Sequence, residues 1–419
     1  MPSDWMRCGR CGYPAGGLRK KGGSGKIIIL LLIFSIFIFR NELVNVVPDS
    51  VKEQFNNIFS IDRNTPDPQY PDTPEAIPGA GGPTGDKTVI NSPTSPPKEQ
   101  EDPDSSFSAR KEKARNLIHD ALLNADESVV LPVLNTGDDS KAIFGMIEQI
   151  RLGDPEIMFY EGCTYRTDGL LTLKYEKPRD SLLKAAQDTK AAADDILSRI
   201  IKPGMTDYEK ELAIHDYIVG SCQYDIENFS KDTVPPEGHE AYGPLIAGKA
   251  VCEGYAKAMQ LLLNRVDIEC LMVTGTSKGE LHGWNIVRIS GKYYQVDATW
   301  DDPVMDGGEQ VLQHTYFNLT DKDLSIDHTW ENAGYPACNS TAGNYYYYNK
   351  LVVSSPDDFT ALLDKAVKNG LDSLSVRFES DLAKSTDIPK LLEKAAVQLN
   401  LGSLSYSVND DHGVVDIWF

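Results

Sequence analysis

Three residues whose side chains can together perform acyl transfer are Cys252, His282 and Asp297. A cysteine thiolate is a nucleophile, an imidazole can take up its proton, and a carboxylate can hold that imidazole in the required tautomer and orientation. If the three side chains meet, they can form a covalent intermediate with a carbonyl substrate. The surrounding elements must therefore bring the three residues together.

Cys252 stands where a glycine-containing loop is predicted to turn into a helix. Apolar residues recur at helical spacing behind it, at Ala256, Met259, Leu262 and Leu263, and this period indicates an amphipathic helix. The thiol would then lie at the N-terminus of the helix. There the helix dipole and the free N–H groups favour a thiolate and can bind a developing oxyanion.

His282 and Asp297 are predicted to lie on the two strands of one hairpin. Residues 281–289 alternate between polar and apolar types, and residues 293–300 resemble a partner strand after the turn at 291–292. Asp297 follows His282 by 15 residues. A hairpin across this turn can place the two side chains next to each other.

These segments resemble the transglutaminase-like superfamily of papain-like fold, in particular its bacterial membrane-anchored members. In the order found in the family, the chain carries Val-Cys-Glu-Gly-Tyr-Ala at 251–256, His-Gly-Trp-Asn at 282–285 and Asp-Ala-Thr-Trp-Asp-Asp-Pro at 297–303. The resemblance implies an α+β core with Cys252 as nucleophile, His282 as base and Asp297 as the orienting carboxylate. It implies no cofactor.

Three aromatic residues near these motifs are candidates for the cleft: Tyr242, Trp284 and Trp300. Tyr242 resembles an aromatic residue found upstream of the nucleophile in relatives and could point its hydroxyl at the substrate carbonyl, although a packing role explains it equally well. Trp284 and Trp300 are expected to form walls of the cleft.

The remaining cysteines do not form an obvious site. Cys8 and Cys11 make one C-x-x-C pair, but tetrahedral zinc needs four ligands, so a zinc site would require two N-terminal tails to share ligands. The other four lie among apolar or aromatic residues and are expected to be buried; they are Cys163, Cys222, Cys270 and Cys338.

The N-terminus has the pattern of a signal anchor. Residues 1–26 carry six basic residues and one acidic residue, and residues 27–39 are apolar except for Ser35. A helix over 22–39 would reach roughly 27 Å, enough to span a bilayer, and the charge asymmetry places the N-terminus in the cytoplasm. A cleaved secretory signal is the alternative, although residues 40–45 lack the small residues of a cleavage site.

The rest of the chain divides by composition. Ten of the 38 residues from Pro66 to Pro103 are proline, which indicates an extended stalk. Two α-β-α-β-β patterns then flank the central segment, so the fold class is α+β, a papain-like transglutaminase core flanked by small α/β modules. The predicted boundaries are a basic tail at 1–26, a transmembrane segment at 27–39, a stalk at 40–106, a small α/β module at 107–178, the catalytic domain at 179–348 and a C-terminal α/β module at 349–419.

The sequence therefore predicts a single-pass membrane enzyme that acts outside the cytoplasm on peptide or side-chain amides. It would be a cysteine peptidase or amidase if water resolves the acyl-enzyme, and a protein-glutamine transglutaminase if an amine does; hydrolysis is favoured because no motif marks an amine site. The alternative is a catalytically silent surface module that binds protein or cell wall. The net charge of −21 argues against a nucleic acid partner.

Overall fold

The computed structural model describes residues 107–136, 138–303, 311–401 and 404–419, together with the backbone of short strands at Met6–Arg7, Pro14–Ala15 and Lys87–Ile90. The apolar segment 27–39 and both Cys8 and Cys11 lie outside the described residues. Among the helices that are described, none has the length and apolar character needed to cross a bilayer.

An N-terminal module follows the predicted α-β-α-β-β order. Its elements are α1 (Phe107–Leu123), β1 (Ser128–Val130), α2 (Asp139–Gly153), β2 (Tyr160–Arg166) and β3 (Leu170–Tyr175). Helix α2 buries Ile143, Met146, Ile147 and Ile150, which share one helix face because of their spacing. These residues form one hydrophobic core with the buried faces of α1, β2 and β3.

One strand of this module comes from the segment predicted to be a stalk. Lys87–Ile90 pairs in parallel with β2, from Lys87 opposite Cys163 to Ile90 opposite Arg166. The stalk prediction did not include this strand, because the four residues Lys-Thr-Val-Ile among prolines and glycines carry no local sign of a distant partner.

The central domain consists of helices followed by an antiparallel sheet. Its first part contains α3 (Arg179–Ile200), α4 (Asp207–Ser221), β4 (Gln223–Tyr224), α5 (Ile226–Ser230), a 3₁₀ turn (Pro236–His239), a π-helical turn (Gly243–Ala247) and β5 (Lys249–Ala250). Its second part contains α6 (Cys252–Asn264), β6 (Cys270–Ser277), β7 (Glu280–Ile289), β8 (Lys292–Val296), α7 (Asp321–Leu324), β9 (His328–Thr329) and α8 (Tyr345–Tyr348).

The sheet of this domain has the strand order β8-β7-β6-β9. Strands β7 and β8 form the predicted hairpin, with Ile289 opposite Lys292, and both turn residues, Ser290 and Gly291, have positive φ. This is the backbone of a tight two-residue turn whose twist matches the strands. Helix α6 is buried almost all round and packs in one core with α4 and the β7–β8 hairpin.

The C-terminal module has the elements β10 (Val352–Val353), α9 (Pro356–Lys368), β11 (Ser373–Phe378), α10 (Ser380–Ser385), α11 (Ile388–Gln398), β12 (Ser405–Asn409) and β13 (Val414–Trp418). Its sheet order, β10-β11-β13-β12, places the last strand between two antiparallel neighbours. The N-terminal module does the same with β3, which lies between β1 and β2. The two modules thus share their three-strand topology and differ in which edge receives the extra parallel strand.

Candidate active site

Cys252 is the first residue of α6 and is partly exposed, whereas the other four cysteines of the described residues are buried and form no disulfide there. The residue before the helix, Val251, provides no side-chain cap, so the first N–H groups of the helix have no capping partner on it. Close packing also requires a glycine at this turn: a β-carbon on Gly254 would lie 2.5 Å from the carbonyl oxygen of Gly238. The thiol therefore lies at the N-terminus of the helix, as the sequence predicts.

His282 and Asp297 are brought together by the hairpin. The Nε2 atom of His282 lies 2.6 Å from Oδ2 of Asp297, and the Asp297 carboxylate is fully buried. The register pairs Asn285 with Val296, so Asp297 continues the strand opposite Trp284, which shares a face with His282. The two-residue turn and the strand alternation thus produce this contact.

The imidazole of His282 also interacts with the thiol of Cys252. Burial alone would favour the neutral ring, but the carboxylate of Asp297 and the sulfur of Cys252 outweigh burial and raise the pKa of His282 to about 10. Burial likewise disfavours the charged form of Asp297, but the two histidines that contact it hold the pKa of Asp297 well below its usual range. The arrangement therefore favours an imidazolium between the sulfur of Cys252 and the ionised carboxylate of Asp297.

One side chain fixes the strand of His282 against the helix of Cys252. The amide Nδ2 of Asn285 donates to the carbonyl oxygen of Ala256 in α6 at 3.0 Å and to that of Leu271 at 3.4 Å. The sequence motif contained this asparagine without a role for it. Because its donor reaches the main chain of both neighbouring elements, Asn285 sets the distance between the strand and the helix.

Asp297 accepts hydrogen bonds on both oxygens. Its Oδ1 accepts from the backbone N–H groups of Thr299 at 2.9 Å and Trp300 at 3.2 Å. Its Oδ2 faces His282 and also Nε2 of His328, at 3.0 Å. His328 was missed by sequence reasoning, because it follows Asp297 by 31 residues and its only local signal is a histidine next to Asp327.

The tryptophans form the walls around this group. Trp284 is buried and donates its Nε1–H to Gln295 at 2.8 Å. Its ring centroid lies 5.9 Å from that of His282, and the Trp300 centroid lies 6.2 Å from the same imidazole. A β-carbon on Gly275 would lie 2.8 Å from the Trp284 ring, so only glycine fits opposite His282. The aromatic rings therefore exclude water from one side of the site.

Tyr242 occupies a different environment. It is half-buried, and its ring packs against the hydrophobic cluster that contains Ala125, Met158, Phe159 and Leu182. The cluster joins the central domain to the N-terminal module. These contacts account for the aromatic side chain by packing.

A buried group of charged residues holds the first turns of α6. The ammonium of Lys257 lies 2.8 Å from Glu240 and 3.0 Å from Glu253, and Nδ1 of His239 lies 3.4 Å from Glu253. Glu240 also accepts the backbone N–H of Phe159 at 2.8 Å. Because a buried charge is stable only when paired, this group ties the start of α6 to the N-terminal module.

Two groups of donor atoms within the described residues are close enough to surround a cation. One is His215, Asp216 and His314; the other is His282, Asp297 and His328. In both groups the histidine nitrogens already lie 2.6 to 3.1 Å from a carboxylate oxygen, which is hydrogen-bonding distance. We therefore describe both as hydrogen-bond networks.

The pairing of Cys252 with His282 predicts a specific pH dependence. An isolated thiol has a pKa of about 8.5, whereas the raised pKa of His282, about 10, keeps the imidazolium beside Cys252 over the neutral range. Alkylation of Cys252 by iodoacetamide should therefore remain fast at pH 6 to 7, and His282→Ala should move its pH profile toward that of a free thiol. The rate at each pH is measured by mass spectrometry of the Cys252 peptide.

The raised pKa of His282 also makes the stability of the folded protein depend on pH. A group whose pKa is raised in the folded state stabilises the protein fully below its unfolded pKa of about 6.5, and this contribution is lost as the pH rises through about 10.

The alkylation experiment can also contradict the pairing of Cys252 with His282. A parent alkylation profile that already follows a free thiol and does not respond to His282→Ala would show that the two residues are not coupled.

The family match covers the segment that contains Cys252, His282 and Asp297. Residues 194–298 match the family model of the transglutaminase-like superfamily. The chain is 28% identical to human kyphoscoliosis peptidase over 162 residues, 34% of this chain and 24% of that protein. It is 25% identical to the mouse protein over 195 residues, 40% of this chain and 29% of that protein. The chain thus spans about a quarter of the length of these curated relatives.

Among solved structures, one described as the crystal structure of a TGase is similar with a TM-score of 0.25 and 16% identity, covering 30% of this chain and 34% of that chain. The matched family segment, 194–298, contains the helix of Cys252, the strand of His282 and the carboxylate of Asp297. Residues 194–298 of this chain are therefore similar to the transglutaminase-like superfamily.

Proposed function

We propose that this protein is a thiol-dependent peptidase or amidase with Cys252 as nucleophile, His282 as acid and base, and Asp297 as the orienting carboxylate. One observation carries the proposal: a partly exposed thiol at a helix start interacts with a buried imidazole that is itself hydrogen-bonded to a buried carboxylate. This is the sequence of contacts that covalent acyl transfer needs.

The first half of the reaction forms a thioester. The Cys252 sulfur attacks the carbonyl carbon of an amide, a C–S bond forms, and the oxygen takes up negative charge near the free N–H groups at the start of α6. His282 then gives its proton to the leaving nitrogen, and the C–N bond breaks. An amine leaves, and the acyl group remains on Cys252.

The second half regenerates the enzyme. A water molecule gives a proton to His282 and attacks the thioester, a C–O bond forms, and the C–S bond breaks to release a carboxylic acid and the thiolate. Asp297 stays ionised throughout, because its four hydrogen-bond contacts all favour the charged form. The name of the human relative, kyphoscoliosis peptidase, supports water as the acceptor.

The choice between water and an amine can be tested directly. The full-length chain in detergent is incubated with a proteome-derived peptide library and dansylcadaverine, and the products are identified by mass spectrometry. We expect new carboxyl termini or deamidated glutamines that disappear after iodoacetamide treatment. Dansylated glutamines in place of hydrolysed products would identify a transglutaminase, and an unchanged library would favour a binding module.

We also propose that residues 41–419 face the outside of the cell, supported by the six basic residues before the apolar segment 27–39. Protease added to intact cells that express the chain should then remove the described modules, while an epitope tag at the N-terminus survives. Digestion of the tag with survival of the modules would reverse the orientation.

A further inference from the structure

A second histidine shares the carboxylate of the proposed triad. Nε2 of His328 lies 3.0 Å from Oδ2 of Asp297, and Nε2 of His282 lies 2.6 Å from the same atom. The two ring centroids are 5.4 Å apart, and both residues are buried. One oxygen of Asp297 therefore has two imidazole partners, and one of them, His282, also interacts with Cys252.

The other nitrogen of His328 faces a second carboxylate. Nδ1 lies 2.6 Å from Oδ1 of Asp327. Asp327 is held by the hydroxyl of Tyr316, which donates to Oδ2 at 2.6 Å, and Nε2 of His412 lies 3.5 Å from the same oxygen. His412 lies in the turn between the last two strands of the C-terminal module, so a chain of polar contacts runs from that module to Asp297.

The protonation of His328 follows from its partners. An ionised carboxylate can only accept hydrogen bonds, and the surrounding histidines hold the pKa of Asp297 and of Asp327 well below the usual range despite burial. A hydrogen bond from His328 to each of these carboxylates requires a proton on each ring nitrogen.

We propose that His328 is a positioning residue: a buried imidazolium that fixes Asp297 in the orientation His282 needs and connects the triad to the C-terminal module through Asp327. This inference rests on the proposed function of the triad. With His328 in place, Asp297 has two donors on each oxygen, so its carboxylate cannot turn without breaking bonds. Without His328, a single imidazole holds Oδ2.

The surroundings of His328 support this role. Its titratable neighbours are Asp297, Asp327 and His282, and the remaining faces are covered by the rings of Trp284, Trp300 and Tyr316. Lys278 lies beyond this shell, with its ammonium 4.5 Å from the Trp300 ring centroid. A dry aromatic wall strengthens the two charge-assisted bonds.

The charge of His328 can be measured without any turnover. Nitrogen-15 NMR of the histidine side chains, recorded on the full-length chain carrying Cys252→Ala at pH 8, reports how many ring nitrogens are protonated. We expect both nitrogens of His328 to be protonated, with the signal assigned by its loss in His328→Gln. His215, which lies 3.1 Å from both Asp216 and Asp301 and has a pKa raised by these carboxylates to about 9, serves as an internal reference.

Kinetics of peptide-library cleavage then test the positioning role. His328→Phe should lower kcat about 10- to 100-fold, the scale known for partners that orient metal-ligating histidines, with KM nearly unchanged. His328→Gln keeps a side-chain donor that can reach Asp297 and should recover most of the rate. The matched control is His215→Gln, which removes an equally buried histidine between two carboxylates but leaves the contacts of Asp297 intact.

The outcomes separate the two proposals. A neutral His328 in the NMR spectrum would overturn the inference, as would equal kcat losses in His328→Gln and His328→Phe. A kcat loss in His215→Gln as large as in His328→Phe would assign both effects to folding and also overturn it. Absence of turnover in the parent would count against the proposed peptidase, and the NMR result on the Cys252→Ala chain would still decide the state of His328.

Discussion

Cys252→Ala should abolish turnover and leave the fold intact. Removal of a nucleophile that works as a unit with its base costs about a millionfold in kcat. Stability should change little, because Cys252 lies at a partly exposed helix start and not in the core. The measurements are kcat on the peptide library and thermal unfolding by circular dichroism.

A buried cysteine provides the matched control for this substitution. Cys270 is 3% exposed and packs in the core of the central domain. Cys270→Ala should lower the free energy of unfolding by about 1 kcal/mol, the scale for one methylene-sized group, and the folded enzyme should keep its kcat. Loss of activity in Cys270→Ala with full activity in Cys252→Ala would refute the assignment of the nucleophile.

Asp297→Asn should reduce kcat by about four orders of magnitude while KM stays close to that of the parent. In the parent, Oδ1 accepts from two backbone N–H groups and Oδ2 faces two imidazoles. An amide has only one oxygen, and backbone N–H groups can only donate. The amide oxygen should therefore turn to the backbone, and its NH₂ group should face His282.

That orientation forces the wrong tautomer on the catalytic imidazole. Nε2 of His282 would have to accept, so its proton would move to the nitrogen that should receive the proton of Cys252. In a serine protease, the same Asp-to-Asn change in the triad lowers the rate about 10⁴-fold. This corresponds to an increase of about 5 kcal/mol in the activation free energy. The rate of Cys252 alkylation at pH 7 should fall together with kcat.

Asp301→Asn is the control for a lost buried carboxylate. Asp301 also accepts a backbone N–H, from Tyr316 at 2.9 Å, and lies 3.1 Å from a buried histidine, His215. Its substitution should destabilise the fold while kcat of the folded protein stays within a few fold of the parent. Equal kcat losses for Asp297→Asn and Asp301→Asn would mean that Asp297 acts only through stability.

Local sequence determined the two elements that carry the proposed triad. The apolar period after Cys252 specified a helix that begins at that residue, and strand alternation on both sides of a two-residue turn specified the hairpin of His282 and Asp297. Both are short-range patterns, since a helix repeats every 3.6 residues and a strand every two. For this reason the contact between His282 and Asp297 could be predicted from spacing alone.

Tertiary structure alone decided the partners that come from far along the chain. His328 reaches Asp297 only because β9 pairs with β6 at the edge of the sheet, Tyr242 packs between the central domain and the N-terminal module, and Lys87–Ile90 joins a sheet more than 70 residues away. Each of these contacts depends on which surfaces meet when separate elements pack. Short-range periodicity carries no information about that choice, because it specifies the face of an element and not the neighbour that covers it.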